Sequence, residues 1–134
     1  MFSATKRIDF SYGHRLLDYD GKCAHVHGHN GRAEIEIAAP ALDSRGMVVD
    51  FGDIRAAVRT WIEQELDHRM LLRSDDPLVG ILRQMGEPVF EMDANPTAEN
   101  IAKAIFERAR AAGLPVVAVR LWETPDSVAE YRAT

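Results

Sequence analysis

The segment C-A-H-V-H-G-H-N, from Cys23 to Asn30, concentrates groups that can bind metal or carry protons. It holds three of the five histidines and the only cysteine of the 134-residue chain. In an extended segment, residues i and i+2 project to the same side. His27 and His29 can therefore reach one ion, and Gly28 between them adds no side chain to crowd it. Imidazole suits zinc, and a catalytic zinc has three protein ligands plus an open position.

The third ligand has several candidates in the sequence. His25 shares the parity of the H-x-H pair, but three alternate ligands in a row would require the strand to curl tightly around one ion. His14 follows the first predicted strand and could approach from a neighbouring strand, and His68 is a further candidate. A closed structural site that combines Cys23 with three histidines is compatible with the same spacing.

Three other residue types could move protons or anchor a ligand. Asp67 precedes His68, and a carboxylate beside a histidine can fix its tautomer, although the two residues could simply end a helix. Cys23 is either a small buried residue or, as a thiolate near a cation, a base or nucleophile. Glu123 ends an apolar segment, either as a solvated charge or as an acceptor for paired N–H donors.

Hydrophobic patterning predicts the elements that position these residues. Apolar residues at helical spacing predict a helix from Asp50, its N-cap, to about Leu66. A second long helix opens after N-P-T, where Thr97 could be the N-cap, and stops at Gly113. The shorter predicted segments are strands at 2–10, 32–39, 88–92 and 116–122 and a short helix at 78–84. This order predicts an α+β fold with helices on one face of an antiparallel sheet.

Composition restricts the classes of function. The length suits one domain over residues 1–134, with 46% hydrophobic and 28% charged residues. The formal net charge of −5 disfavours non-specific nucleic-acid binding, which needs a basic face. No apolar segment approaches the roughly 20 residues of a membrane span. The N-terminus lacks the order of a secretory signal, and one cysteine cannot form an internal disulfide, so we expect a cytoplasmic protein.

Six motifs, in their order and spacing, resemble the 6-pyruvoyl-tetrahydropterin synthase / 6-carboxytetrahydropterin synthase family. They are F-S-Y-G-H-R-L (10–16), C-A-H-V-H-G-H-N (23–30), G-M-V-V-D-F-G-D-I (46–54), L-D-H (66–68), P-T-A-E-N-I-A (96–102) and E-T (123–124). The resemblance implies zinc ligands His14, His27 and His29, catalytic residues Cys23, Asp67 and His68, and substrate-binding residues Glu123 and Thr97. It excludes His25 from the ligand set and makes Cys23 a base rather than a ligand.

The gap between Cys23 and His27 distinguishes subfamilies. C-x3-H-G-H is similar to the bacterial 6-carboxytetrahydropterin synthases of queuosine (7-deazaguanine) biosynthesis, whereas the pyruvoyl-forming synthases have a longer gap. The resemblance thus implies a zinc-dependent carbon–carbon lyase that converts 7,8-dihydroneopterin triphosphate to 6-carboxy-5,6,7,8-tetrahydropterin, acetaldehyde and triphosphate. Pyruvoyl-type elimination or a related side-chain cleavage is the alternative within the fold. A zinc-binding structural module or a pterin-binding oligomer is the alternative outside enzymes.

The resemblance also implies the tunnelling fold, an antiparallel sheet with two helices on one face. Subunits of that fold join their sheets into a trimeric β-barrel, commonly paired into a hexamer, with sites between subunits. The implied partners are a pterin triphosphate and further copies of the chain, with no nucleic acid and no membrane. Lys22 and Arg15 are candidates to bind the triphosphate. Four positions depart from the family pattern without removing an implied site residue: Gly13, Gly31, Leu72 and Ala98.

Overall fold

One six-stranded sheet organises the molecule. The computed structural model describes all residues from 1 to 134. The strands are β1 (Phe2–His14), β2 (His27–Ala39), β3 (Arg69–Arg73), β4 (Val89–Met92), β5 (Val116–Thr124) and β6 (Ser127–Arg132). Their order across the sheet is β4-β3-β1-β2-β5-β6. The predicted strands are all present, whereas β3 and β6 were not predicted.

The central pair, β1 and β2, is longer than the sequence predicted. The two strands pair antiparallel from Phe2 opposite Ala39 to His14 opposite His27. The pairing therefore continues through the whole H-x-H segment, which patterning had left outside the strand. It ends in a loop, residues 15–26, that contains Cys23.

The sheet is mixed rather than wholly antiparallel. β5 pairs antiparallel with β2 and with β6, but β3 is parallel to β1 and β4 is parallel to β3. The helix α3 (Leu78–Gln84) carries the chain back between β3 and β4, as a parallel connection requires. The antiparallel expectation is thus correct for four strands and wrong for the two at one edge.

The two long helical segments begin and end where the sequence indicated. The first runs without a break through α1 (Phe51–Ile54), a π-helical turn (Arg55–Arg59) and α2 (Thr60–Glu65). Asp50 caps it by accepting a hydrogen bond from the backbone N–H of Gly52 at 2.8 Å. The second, α4 (Ala98–Ala111), is capped by Thr97.

Both long helices cover the same face of the sheet. The apolar residues of β1, β2 and β5 on that face pack with both helices in one cluster that includes Ile8, Ile35, Ile54, Ile105 and Leu121. The short α3 contributes only Val79 to the buried residues. The expected pair of helices on one face is therefore confirmed. None of the helices combines the length and apolar character needed to span a membrane.

The opposite face of the sheet carries charged residues in ion pairs. Glu34 is only 8% exposed. It accepts hydrogen bonds from Trp122 Nε1 at 2.6 Å and Arg7 Nε at 2.9 Å, and Arg120 lies 3.4 Å away. These neighbours cover the carboxylate and satisfy its charge, which makes its burial tolerable.

Candidate metal centre and active site

Three histidines converge at the open end of the β1–β2 pair. His14 is opposite His27 and Tyr12 is opposite His29 in the register, so all four side chains lie on the helix-covered face. The ligand atoms of His14, His27 and His29 lie within 4.8 Å of one another. Cys23 is not part of this cluster, and the fourth coordination position has no protein sulfur.

Two backbone carbonyls fix the orientation of two of the rings. His14 Nδ1 lies 2.7 Å from the carbonyl oxygen of Pro96, and His27 Nδ1 lies 2.7 Å from that of His25. Because a carbonyl can only accept, each Nδ1 carries the proton and donates it. The Nε2 atom of each ring is then left to bind a proton or a metal ion.

The Nε2 atoms of these two rings lie close together. His14 Nε2 and His27 Nε2 are 3.0 Å apart, a separation that suits a shared proton or a shared metal ion, because two bare lone pairs would repel each other. Two nitrogens bound to one tetrahedral zinc would be about 3.3 Å apart, given Zn–N bonds of 2.0–2.1 Å. The three imidazoles could therefore hold a metal ion, and the carbonyl contacts resemble the outer partners that metal-binding histidines usually have.

His29 completes the set of donors. Its Nε2 is buried and makes no hydrogen bond, although Glu123 Oε2 lies 3.4 Å away. A buried nitrogen without a partner is costly in a folded protein, and a metal ion would satisfy it. Three imidazoles with a neighbouring carboxylate fit zinc.

The protonation of His14 favours the form that binds metal. Burial lowers the pKa of His14, and the hydrogen bond to the Pro96 carbonyl only partly opposes this effect. The ring is thus neutral at physiological pH, as coordination requires.

Cys23 lies in a short 3₁₀ turn (Lys22–Ala24) of the loop that connects β1 to β2. Its thiol is free and half-buried. Its carbonyl accepts a hydrogen bond from the N–H of Leu16 at 2.8 Å, which closes the loop on itself. This contact holds the cysteine near the end of β1 that carries His14.

Asp67 and His68 contact each other, as the functional interpretation requires. Asp67 Oδ2 is 2.9 Å from His68 Nδ1, and Asp67 Oδ1 accepts from the backbone N–H of Ser11 at 2.9 Å. Burial raises the pKa of Asp67, but the hydrogen bonds from Ser11 and His68 outweigh it and lower the pKa below its usual value. The pair lies beyond α2, which ends at Glu65.

The backbone of His68 is held in an unusual conformation. Its φ is +58°, in the left-handed region that non-glycine residues rarely adopt. The N–H of His68 donates to the carbonyl of Ser11 at 2.6 Å, which ties this residue to β1. The side chain is 80% exposed, so the imidazole is available to a ligand or a neighbouring chain.

The remaining site candidates are placed as follows. Thr97 is the N-cap of α4, and its Oγ1 accepts from the N–H of Asn100 at 3.2 Å. Lys22 is exposed. The guanidinium of Arg15 instead binds the buried Asp76, with Nε donating to Oδ2 at 2.8 Å, so much of its capacity to bind phosphate is already used.

Sequence reasoning missed residues that act through the backbone or from inside the strand. The carbonyls of Pro96 and His25 carry no sequence signal, because every residue has one. Asn95 joins two loops by a pair of hydrogen bonds to the backbone of Leu17, at 2.9 and 2.8 Å. Tyr12 could have been found, because it precedes His14 by two residues in a strand and so shares its face.

The family model described as 6-pyruvoyl tetrahydropterin synthase matches residues 3–134.

The chain belongs to this family.

A relative named 6-carboxy-5,6,7,8-tetrahydropterin synthase, from Rickettsia conorii, is 39% identical over 137 aligned positions. The alignment covers 97% of this chain and 99% of that protein. The family match spans every strand and helix that contributes to the site, from β1 to β5. The resemblance drawn from the six motifs is therefore confirmed.

Solved structures share the architecture. An uncharacterized protein from Wolinella succinogenes has a TM-score of 0.82 at 25% identity, covering 99% of this chain and 98% of that one. The 6-pyruvoyl tetrahydropterin synthase of Caenorhabditis elegans has a TM-score of 0.74 at 21% identity, covering 99% and 96%. These likenesses confirm the tunnelling fold.

Proposed function

We propose that this member of the 6-pyruvoyl tetrahydropterin synthase family is a zinc-dependent carbon–carbon lyase. It converts 7,8-dihydroneopterin triphosphate and one water molecule to 6-carboxy-5,6,7,8-tetrahydropterin, acetaldehyde and triphosphate, as a step of queuosine (7-deazaguanine) biosynthesis. The observation that carries the metal dependence is the 3.0 Å approach of the Nε2 atoms of His14 and His27. The choice of product is supported by the C-x3-H-G-H spacing and by the name of the Rickettsia conorii relative.

The metal contributes electrostatics and the protein contributes proton transfer. Zinc, when bound, supplies Lewis acidity that acidifies the hydroxyl groups of the substrate side chain. Cys23, as a thiolate, takes a carbon-bound proton as general base. His68, oriented by the 2.9 Å contact with Asp67, moves protons in the complementary steps.

Glu123 and Thr97 are the proposed substrate-binding residues. Glu123 lies 3.4 Å from His29, so its carboxylate faces the same cavity as the imidazoles and can accept N–H or O–H donors of the substrate. Thr97 already accepts the N–H of Asn100, but its hydroxyl proton remains available to a ligand at the start of α4.

The active form is a trimer-based homo-oligomer, most simply a hexamer, with sites between subunits. The edge strands β4 and β6 each have only one neighbour in the sheet, and open sheet edges favour pairing with another chain. The exposed His68 is then within reach of a neighbouring subunit.

Product identification tests the proposal against its alternative within the family. Zinc-loaded protein is incubated with 7,8-dihydroneopterin triphosphate, and the pterin product is identified by mass. A 6-carboxy product supports the proposed reaction. A 6-pyruvoyl product without acetaldehyde would instead assign the reaction that the family description names.

A further inference from the structure

The side chain of Tyr12 is buried beside the metal centre with its hydroxyl unpaired. Tyr12 is 3% exposed, and its hydroxyl is buried without a hydrogen-bond partner. Buried tyrosine hydroxyls usually find a partner, and an orphaned one destabilises the fold. Such a group is an indication of a missing ligand contact.

The ring of Tyr12 lies among the histidines. Its centroid is 5.3 Å from that of His14 and 5.7 Å from that of His29. It also stacks on Phe10 at 5.3 Å. These contacts on three sides leave the ring little freedom to turn, so the hydroxyl is held in a fixed place.

Gly31 makes room for the ring to extend across β2. A Cβ atom placed on Gly31 would lie only 2.9 Å from Tyr12 Cε1 and 3.5 Å from Leu121 Cδ1. The ring therefore fills the space between β1 and β5 above this glycine.

Tyr12 and Glu123 both lie beside His29: the Tyr12 ring centroid is 5.7 Å from that of His29, and Glu123 Oε2 is 3.4 Å from His29 Nε2. The phenol is protonated at neutral pH and can donate as well as accept, whereas the Glu123 carboxylate only accepts. The influence of the Glu123 charge on Tyr12 adds to that of burial, and both raise the pKa of the phenol, which agrees with their proximity. The Tyr12 hydroxyl therefore complements a ligand oxygen that accepts a hydrogen bond, and Glu123 remains available to accept the paired N–H donors of the ligand.

We propose that the Tyr12 hydroxyl donates a hydrogen bond to a side-chain hydroxyl oxygen of the substrate. This inference rests on the proposed function and assigns to Tyr12 the recognition of the hydroxylated side chain. A pterin without such a hydroxyl would leave the buried Tyr12 hydroxyl unpaired, which is a strong basis for discrimination.

The test removes the hydroxyl and keeps the ring. Zinc-loaded wild type, Tyr12→Phe and Tyr131→Phe are titrated with 7,8-dihydroneopterin and with 6-methyl-7,8-dihydropterin, which lacks side-chain hydroxyls. Tyr131 of β6 packs on Phe106 of α4, with 4.9 Å between the ring centroids. The Tyr131→Phe variant therefore serves as the matched control. We expect Tyr12→Phe to bind dihydroneopterin about tenfold more weakly, as for one lost hydrogen bond, and the methyl compound unchanged.

A second readout separates a ligand contact from a structural role. The metal-free Tyr12→Phe protein is expected to melt at the same temperature as wild type or higher, since an unpaired buried hydroxyl is removed. Its zinc affinity should be unchanged. Gly31→Ala, which displaces the ring and retains the hydroxyl, should also weaken binding of dihydroneopterin.

The outcomes are distinct. Equal affinity of wild type and Tyr12→Phe for dihydroneopterin, or equal weakening for both pterins, would overturn the role of Tyr12 and leave the proposed function intact. A lower melting temperature of Tyr12→Phe would show that the hydroxyl has a structural partner and would also overturn it. If wild type binds neither pterin, this inference fails, and acetaldehyde release from 7,8-dihydroneopterin triphosphate decides separately whether the proposed function fails with it.

Discussion

At the scale of single residues, the metal centre depends on which nitrogen of each ring faces the cavity. Strand parity in the sequence predicted that His27 and His29 share one side of the strand, and the family motif added His14 as the third ligand. The protonation of the rings could not be predicted, because it depends on carbonyls of Pro96 and His25 whose positions come from loops. The structure thus adds the reason why the Nε2 atoms are free to bind a metal.

Two substitutions distinguish the role of His14 as a metal ligand from the role of Cys23 as a general base. His14→Ala removes one of three imidazoles and should lower zinc affinity by at least tenfold, because the remaining pair is an incomplete ligand set. Cys23→Ala should retain zinc and lose turnover. Zinc content after dialysis against a chelator checks both variants. Loss of zinc from the Cys23 variant with retention in the His14 variant would instead identify a structural site that contains the thiolate.

Asp67 is expected to act on catalysis more than on stability. Asp67→Asn keeps an acceptor for the Ser11 N–H but removes the charge beside His68, so kcat should fall roughly 100-fold with a smaller change in KM. Steady-state kinetics at neutral pH measures both. An unchanged kcat would show that the Asp67–His68 contact is only structural.

The same carboxylate has a predictable effect on acid stability. Because the pKa of Asp67 is lowered in the folded protein, its stabilisation is present above the usual value of 3.8 and is lost as pH falls through the lowered pKa. We expect the free energy of unfolding of wild type to exceed that of Asp67→Asn by about 1 kcal/mol at neutral pH. This difference should disappear below pH 4. Urea unfolding between pH 7 and pH 3 measures this difference in the free energy of unfolding. A difference that increases as the pH falls would contradict the assignment.

At the scale of elements, helices were easier to predict than strand partners. The caps at Asp50 and Thr97 and the glycine at 113 delimit both long helices from local chemistry. β3 was missed because five residues after a helix give little periodicity, and β6 because its register depends on pairing with β5. The extension of β2 through His29 depends on 13 residue pairs with β1, which no local pattern could reveal.

Two loops at the site are linked by Asn95. Its side chain binds the backbone of Leu17, in the loop that contains Cys23, and the next residue is Pro96, whose carbonyl orients His14. Asn95→Ala leaves two backbone groups unpaired and should lower zinc affinity about tenfold. It should also speed the alkylation of Cys23 by iodoacetamide.

The matched control for that variant lies in the same loop. Asp18 forms a surface ion pair with Arg73 at 3.0 Å, and such pairs contribute little. Asp18→Asn should therefore change neither zinc affinity nor alkylation rate. If both variants behave alike, general loosening of the loop, rather than the Asn95 contact, explains the effect.

At the scale of the whole molecule, the exposed surface is larger than that of a typical monomer. The chain exposes 7640 Å², whereas a monomer of this mass exposes about 7,000 Å² on average. The strands β4 and β6 lie at the two edges of the sheet and each lack a second neighbour. No local sequence pattern shows which strands lie at an edge, because pairing across the whole sheet sets the order of the strands.

The assembly state follows from these surfaces. The protein, 15.0 kDa per chain, should sediment at micromolar concentration as three or six copies, since edge pairing satisfies the free backbone groups of β4 and β6. Sedimentation velocity in high and low salt measures the mass. A monomer in both conditions would contradict the proposal that sites lie between subunits.

The central claim is the metal-dependent cleavage of a pterin side chain, and acetaldehyde release tests it most directly. Purified protein with one zinc per chain is incubated with 7,8-dihydroneopterin triphosphate, beside metal-stripped protein and Cys23→Ala. We predict one acetaldehyde per 6-carboxy product from the zinc-loaded wild type and none from either control. Absence of acetaldehyde from the zinc-loaded wild type, or equal release by the metal-stripped protein, would contradict the account.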